Sequence, residues 1–300
     1  MRFGVSLEPP FWSRGGEAAA VGAARDAERL GFDHVLMSSH LLANQHGAAT
    51  DPLILLSAVA GATTRIGLAT SVLVLPYYHP VVLANQVASL DALSGGRLAL
   101  GVGTGWNPRE FAAVDVPVRL RGRRTDDSLE IMRALWAGTA SELPDRFAEL
   151  RTAVLGVRPA TPGGPPIWVG GHSEPSLRRA VRFGQGWHGS GISADDARFF
   201  RSRLDELAAA TGRDPSAVEI STVAFLVPPG FTPVRPVPGR LLGGTGTSTE
   251  AVVEDLSLLA QAGVTMASLW IPIDGPRLIE ALEWFNTEVR PQVTGSDSPT

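Results

Sequence analysis

Residues 65–106, RIGLATSVLVLPYYHPVVLANQVASLDALSGGRLALGVGTGW, constrain the fold more than any other stretch of the chain. An apolar run from Ile66 to Leu75 ends at a proline-marked turn. An amphipathic segment, His79–Leu93, follows and stops at Gly95-Gly96. A second apolar run, Leu98–Val102, then dissolves into glycines. Strand, helix, strand in that order is the crossover unit of a parallel sheet. Glycines and small hydroxyl residues gather at the strand ends, where α/β folds bind their ligands.

The same alternation runs the length of the chain. Strands are predicted at Arg2–Leu7, His34–Met37, Ile66–Leu73, Leu98–Val102, Ile167–Val169, Gly186–Gly189, Glu219–Val227 and Met266–Ile271. Helices are predicted at Glu17–Leu30, Pro52–Ala62, Val81–Leu93, Asp126–Trp136 (capped by Thr125 or Asp126), Glu174–Phe183, Ala194–Ala210, Thr249–Ala262 and Pro276–Val289. Eight strands, each followed by a helix, predict an α/β fold of the closed (β/α)8 TIM-barrel type, with an open doubly wound sheet as the alternative. The short apolar strands suit a sheet buried on both faces. Two segments fall outside the alternation and read as insertions after the fourth and seventh strands. Ser141–Pro166 is rich in Pro, Gly and charge. Pro228–Gly246 carries five prolines and five glycines, too many for a regular element, and is a candidate lid on the ligand face. Residues 1–294 read as one barrel domain and 295–300 as a flexible tail.

Composition removes several kinds of chemistry. All 26 basic residues are arginine, so no lysine amine is present to form a Schiff base or act as a nucleophile. With no cysteine there is no disulfide, thiolate or Cys-ligated metal. A net charge of −4 gives no footprint for nucleic acid or an anionic membrane. No apolar run approaches the roughly 20 residues of a membrane span, and the first residues enter a strand without a leader pattern, so a cytoplasmic location is expected. The six histidines lack metal-ligand spacing, so no metal is expected.

What remains lies at the strand ends. Gly170-Gly171-His172-Ser173 opens a helix at Glu174. Two glycines, a hydroxyl and a positive helix end make a physically sound phosphate site, although the same residues serve as an ordinary N-cap turn. Gly101-x-Gly103-x-Gly105 lacks the spacing of a dinucleotide loop. His40, beside Ser39 at the end of the second strand, is a candidate acid/base or substrate-orienting group. Such a mouth favours a bound cofactor for the difficult chemistry.

In AERLGFDHV (27–35), SSHLL (38–42), the 65–106 stretch, RRTDDSLEIMRALW (123–136), RPATPGGPPIWVGGHSEPSLRRAVRFGQGWHG (158–189) and 249–271, the chain resembles the luciferase-like monooxygenase superfamily. It is most similar to the actinobacterial branch that uses the deazaflavin coenzyme F420. The resemblance spans nearly the whole chain. It implies a non-prolyl cis peptide at Ser71-Val72 against the cofactor ring, and Thr104-Gly105-Trp106 along its side. It places the cofactor phosphate at Gly170, Gly171, His172 and Ser173, with Ser190 at the end of the sixth strand in the same set. His40, with Ser39, matches the active-site histidine position. Many deazaflavin members read Asp-His there, so this histidine lacks its adjacent carboxylate, and Trp106 stands where some relatives carry a Glu. Glu8 and Glu110 are the acids available to substitute. The resemblance implies an F420-dependent oxidoreductase that transfers a hydride between the deazaflavin C5 and a small organic substrate. An FMN-dependent monooxygenase and a non-catalytic flavin-binding protein are the alternatives. A homodimer is the expected assembly.

Overall fold

The computed structural model describes residues 1–7, 16–42, 50–273 and 275–294. Glu8, Asp274 and the 295–300 tail lie outside the described residues. The strands are β1 (Arg2–Ser6), β2 (His34–Met37), β3 (Gly67–Thr70), β4 (Leu73–Val74), β5 (Leu98–Gly103), β6 (Ile167–Gly170), β7 (Gly186–Ser190), β8 (Glu219–Phe225) and β9 (Val264–Trp270). All pairings are parallel. The order is β3-β2-β1-β9-β8-β7-β6-β5-β4, and a further β3–β5 pairing closes the circle. The third barrel strand is thus broken into β3 and β4, and eight strands form a closed (β/α)8 barrel. At the break the Ser71–Val72 peptide is cis.

The break is packed into glycines. Val72 projects at the neighbouring strands, and a Cβ on Gly103 would lie 2.7 Å from Val72 Cγ2, one on Gly170 3.0 Å from Val72 Cγ1. A Cβ on Gly101 would lie 1.9 Å from the Thr70 carbonyl oxygen, and Thr70 Oγ1 donates to the Gly101 carbonyl at 2.6 Å. The glycines of the fourth barrel strand are therefore clearance for the third, not a phosphate loop. Gly105 (φ +73°) continues the series against Val74 and Phe111.

The helices are α1 (Gly16–Arg29), α2 (Pro52–Ala62), α3 (Pro80–Ser94), α4 (Pro108–Ala113), α5 (Arg121–Ala137), α6 (Glu174–Phe183), α7 (Ala194–Ala210), α8 (Thr249–Gln261), α9 (Leu278–Trp284) and α10 (Arg290–Thr294). Local chemistry sets many of the ends. Asp51 accepts from the N–H groups of Leu53 and Ile54 ahead of Pro52, and Gly95 closes α3 in the left-handed region. Three expectations need correction. α5 starts a turn earlier than a Thr125 or Asp126 cap requires. It runs on from a 3-10 turn at Val118–Leu120, and Thr125 bonds back to the Arg121 carbonyl instead. The fourth strand leads into the short helix α4, which is too brief to show a periodic pattern. The last helix is interrupted by a π-turn at Phe285–Val289 just before Pro291, whose ring cannot accept regular α-packing.

The main core lies between strands and helices, and a smaller one (Leu36, Ala69, Ala99, Trp168, Met266) fills the barrel. Arg97 braces the end opposite the mouth, donating to the carbonyls of Ala60, Thr63, Ile66 and Ser94. The Ser141–Pro166 insertion is pinned by fully buried Asp91 of α3, which accepts from the Thr161 N–H at 2.7 Å. The Pro228–Gly246 segment is tied by Val234 N–H to Pro272 and Leu242 N–H to Phe225. Among the described residues no helix is long and apolar enough to cross a membrane.

The glycine clearance is testable. Gly101→Ala should lower stability by about 3 kcal/mol, read as a reduced urea midpoint. An alanine variant as stable as the parent would show that the strands part freely.

Candidate active site at the barrel mouth

The C-terminal ends of the strands bring most of the sequence candidates to one face. Ser71 and Val72 lie in the break of the third barrel strand. Thr104, Gly105 and Trp106 follow β5; Gly170 ends β6, and Gly171, His172 and Ser173 follow it; Ser190 ends β7. His40 lies three residues beyond β2, its side chain 22% exposed. The Trp106 indole, 59% exposed, meets it edge-on at 5.9 Å.

Of the two acids available to substitute, Glu110 reaches His40, from α4. Asn107 caps this helix by accepting from the Arg109 N–H, and Pro108 occupies its first turn. Glu110 is thereby turned inward, 1% exposed, with Oε1 3.1 Å from His40 Nδ1. Its Oε2 accepts from the Tyr77 hydroxyl at 3.0 Å. Burial, then the bond to Glu110, raises the Tyr77 phenol well above its ordinary range, so it stays protonated. Ser39, in contrast, is buried, and its hydroxyl bonds the Tyr78 phenol, which also reaches Asp51 at 3.4 Å. Ser39 therefore backs the mouth.

Two further histidines were not singled out as site residues in the sequence. His188 of β7 is buried, with Nε2 2.9 Å from Ser71 Oγ and Nδ1 2.7 Å from Ser221 Oγ. It stacks on Trp168 (6.1 Å between centroids, 20°). Burial lowers its pKa to about 4, so it is neutral at pH 7. His34, deeper in the barrel, is also lowered to about 4, first by burial and then by Arg2. Only the alternation of inward positions along β7 would have flagged His188.

The α6 end has the attributes of an anion cradle. Gly171 adopts φ +110°. Its carbonyl is held by the Trp187 indole N–H at 2.7 Å and by Ser176 Oγ at 2.8 Å, which fixes the loop. Ser173 occupies the N-cap position, but its hydroxyl makes no capping bond. In the first turn Pro175 has no N–H, and the Ser176 and Leu177 N–H groups bond the Ser173 carbonyl at 2.9 and 3.2 Å, so an anion here would meet the loop and the start of the helix. Glu174, the acid in that turn, is drawn aside by Arg203 and Arg178. His172 accepts the Ser190 N–H at Nε2 (3.2 Å), which leaves the ring hydrogen of the neutral form on Nδ1, and burial lowers its pKa.

A family model described as luciferase-like monooxygenase matches residues 1–228. The chain belongs to this family. A curated relative, F420-dependent hydroxymycolic acid dehydrogenase of Mycobacterium tuberculosis, is 34% identical over 212 residues, covering 69% of this chain and 58% of its own. The 4-hydroxyprotoasukamycin monooxygenase of Streptomyces nodosus subsp. asukaensis is 32% identical over 193 residues, covering 61% and 50%. The match to uncharacterised mycobacterial proteins at 35% identity spans 61% of their length. Among solved structures, an F420-dependent secondary alcohol dehydrogenase in complex with an F420-acetone adduct superposes with a TM-score of 0.77 at 19% identity, over 97% of this chain and 98% of that one. That likeness establishes the barrel fold.

The buried histidines predict a pH dependence. Each has a folded pKa below its unfolded value near 6.5, so the unfolded chain binds more protons once the pH falls below that value. Stability is then full above about pH 6.5 and falls as the pH drops toward 4, by at most about 1.4 kcal/mol per pH unit for each group. Urea midpoints between pH 7 and 5 should show this slope, and His188→Gln should reduce it to the part that His34 contributes. An unchanged slope in that variant would remove His188 from the explanation.

Proposed function

We propose that the chain is a coenzyme F420-dependent oxidoreductase that moves a hydride between the deazaflavin C5 and a small organic substrate. One observation carries this reading: His40, backed by a buried carboxylate, shares a barrel mouth with the anion cradle of α6. The histidine suits proton transfer to or from a substrate, and the cradle suits a cofactor phosphate. With no Lys or Cys in the chain, the reactive centre is expected to reside in a bound group. When bound, the deazaflavin supplies a two-electron hydride carrier.

The protein's own part is to bind, orient and handle the proton. Gly170, Gly171, His172 and Ser173, with Ser190, would hold the phosphate. Gly171 is the residue there that a side chain would not fit without strain, since φ +110° disfavours any Cβ. Ser71 and Val72 would back the ring, with Thr104, Gly105 and Trp106 at its edge. His40 would take the proton from a substrate hydroxyl, or return it to a carbonyl. Ser39 would support this loop from behind.

The 34%-identical dehydrogenase supports the deazaflavin reading. The 32%-identical monooxygenase supports FMN-dependent oxygenation as the second reading. The ground for a non-catalytic protein was a missing acid at the mouth, and Glu110 removes that ground.

The test is differential binding. F420 at a hundred times its dissociation constant should add about 2.7 kcal/mol and raise Tm, whereas FMN should not. Micromolar binding of FMN with none of F420 overturns the proposal in favour of the second reading. In the F420-loaded protein, His40→Ala should lower turnover by about 10²- to 10⁴-fold while leaving F420 affinity unchanged.

A further inference from the structure

His40 and Glu110 are 70 residues apart in the chain, yet their side chains meet at 3.1 Å, and Tyr77 closes the far side of the carboxylate at 3.0 Å. The Leu42 N–H also points at Oε1, at 3.4 Å. Three donors thus converge on one carboxylate that is 1% exposed. A buried carboxylate can only accept, so the neutral imidazole facing it must carry its hydrogen on Nδ1. Nε2, across the ring from the contact, is then a bare acceptor on a side chain that is 22% exposed.

We propose that Glu110, held by Tyr77, is a positioning residue that locks His40 in the Nδ1–H form and so makes Nε2 the proton-accepting atom of the mouth. It takes over, from a different element, the part of the carboxylate that is absent beside His40 in the sequence. A substrate hydroxyl would give its proton to Nε2, leaving an imidazolium whose charge Glu110 balances, while the O–H electron pair becomes the second bond of C=O and the hydrogen on the same carbon departs with its pair; under the reading above, the deazaflavin would supply the hydride acceptor. The chemistry rests on that reading, but the tautomer does not.

Imidazole ¹⁵N NMR of the cofactor-free protein reads the tautomer directly, since a protonated ring nitrogen and a bare one resonate far apart. With His40 assigned by comparison with His40→Ala, the parent protein should show Nδ1 protonated and Nε2 bare. Glu110→Leu removes the acceptor and keeps an apolar side chain of similar size, and the tautomer ratio should then swing toward Nε2–H by at least about tenfold. Glu110→Gln keeps an acceptor oxygen and should restore the parent pattern. Should Glu110→Leu fail to fold, Tyr77→Phe, which frees the carboxylate on its far side, should lower the ratio in the same direction by a smaller factor. A His40 signature identical in the parent, Glu110→Leu and Tyr77→Phe overturns the proposal, as does a parent ring protonated on Nε2. Failure to bind F420 with the tautomer pattern as expected would refute the cofactor reading alone.

Discussion

The molecule depends on how closely its third barrel strand approaches the fourth and fifth. Val72 fills space that any side chain at Gly103 or Gly170 would occupy, and the Thr70 carbonyl sits where a Cβ on Gly101 would be. This contact lets the broken strand bond to β5 on both sides of the break, through Leu68 and Ala69 before it and Leu73 and Val74 after it. The barrel therefore closes although one strand is interrupted. The interruption also turns the Ser71 hydroxyl inward to His188, while the Ser71 N–H still bonds the Met37 carbonyl of β2 at 2.7 Å.

Much of the fold was legible because punctuation residues are local. Asp51-Pro52, Gly95-Gly96 and Ser193 mark helix ends by chemistry that operates within three residues, and those ends fell where the pattern placed them. The start of α5 misled because Thr125 and Asp126 are good caps in isolation. Here Thr125 is spent on its own helix, and Asp126 pairs with Arg179 of α6. The π-turn answers to packing as well as to Pro291: Phe285 meets the rings of Phe3 and Phe32 from distant parts of the chain, which no local pattern shows.

The candidate site was legible in its outline, and its acid only as a choice between Glu8 and Glu110. Strand ends of a barrel must share a face, so Ser71, Thr104, Gly171 and Ser190 could be grouped from the alternation alone. The partner of His40 could be narrowed only to Glu8 or Glu110, because no local pattern says which distant acid reaches the loop. Sequence adjacency is a poor guide when two loops from different strands meet. The Asn107-Pro108 pair was the usable signal: it starts a helix, and a helix started there puts Glu110 in its first turn. The missing side chain in one loop was thus supplied by the geometry of another.

The consecutive tyrosines show why the loop after β2 can hold a reactive group steadily. Tyr77 ends a 3-10 turn and Tyr78 is extended, so their side chains diverge. One phenol bonds Glu110 and through it His40; the other bonds Ser39 and reaches Asp51, which itself caps α2. Two neighbouring residues of the post-β2 loop are therefore fixed from two carboxylates on separate helices. A ring on a loop tethered at one point would rotate about that tether. Bracing at adjacent residues limits that freedom, and it does so with protonated phenols, since both are raised by burial and by their acid partners. Both phenols thus keep their hydrogens through neutral pH and remain donors to Glu110 and Asp51.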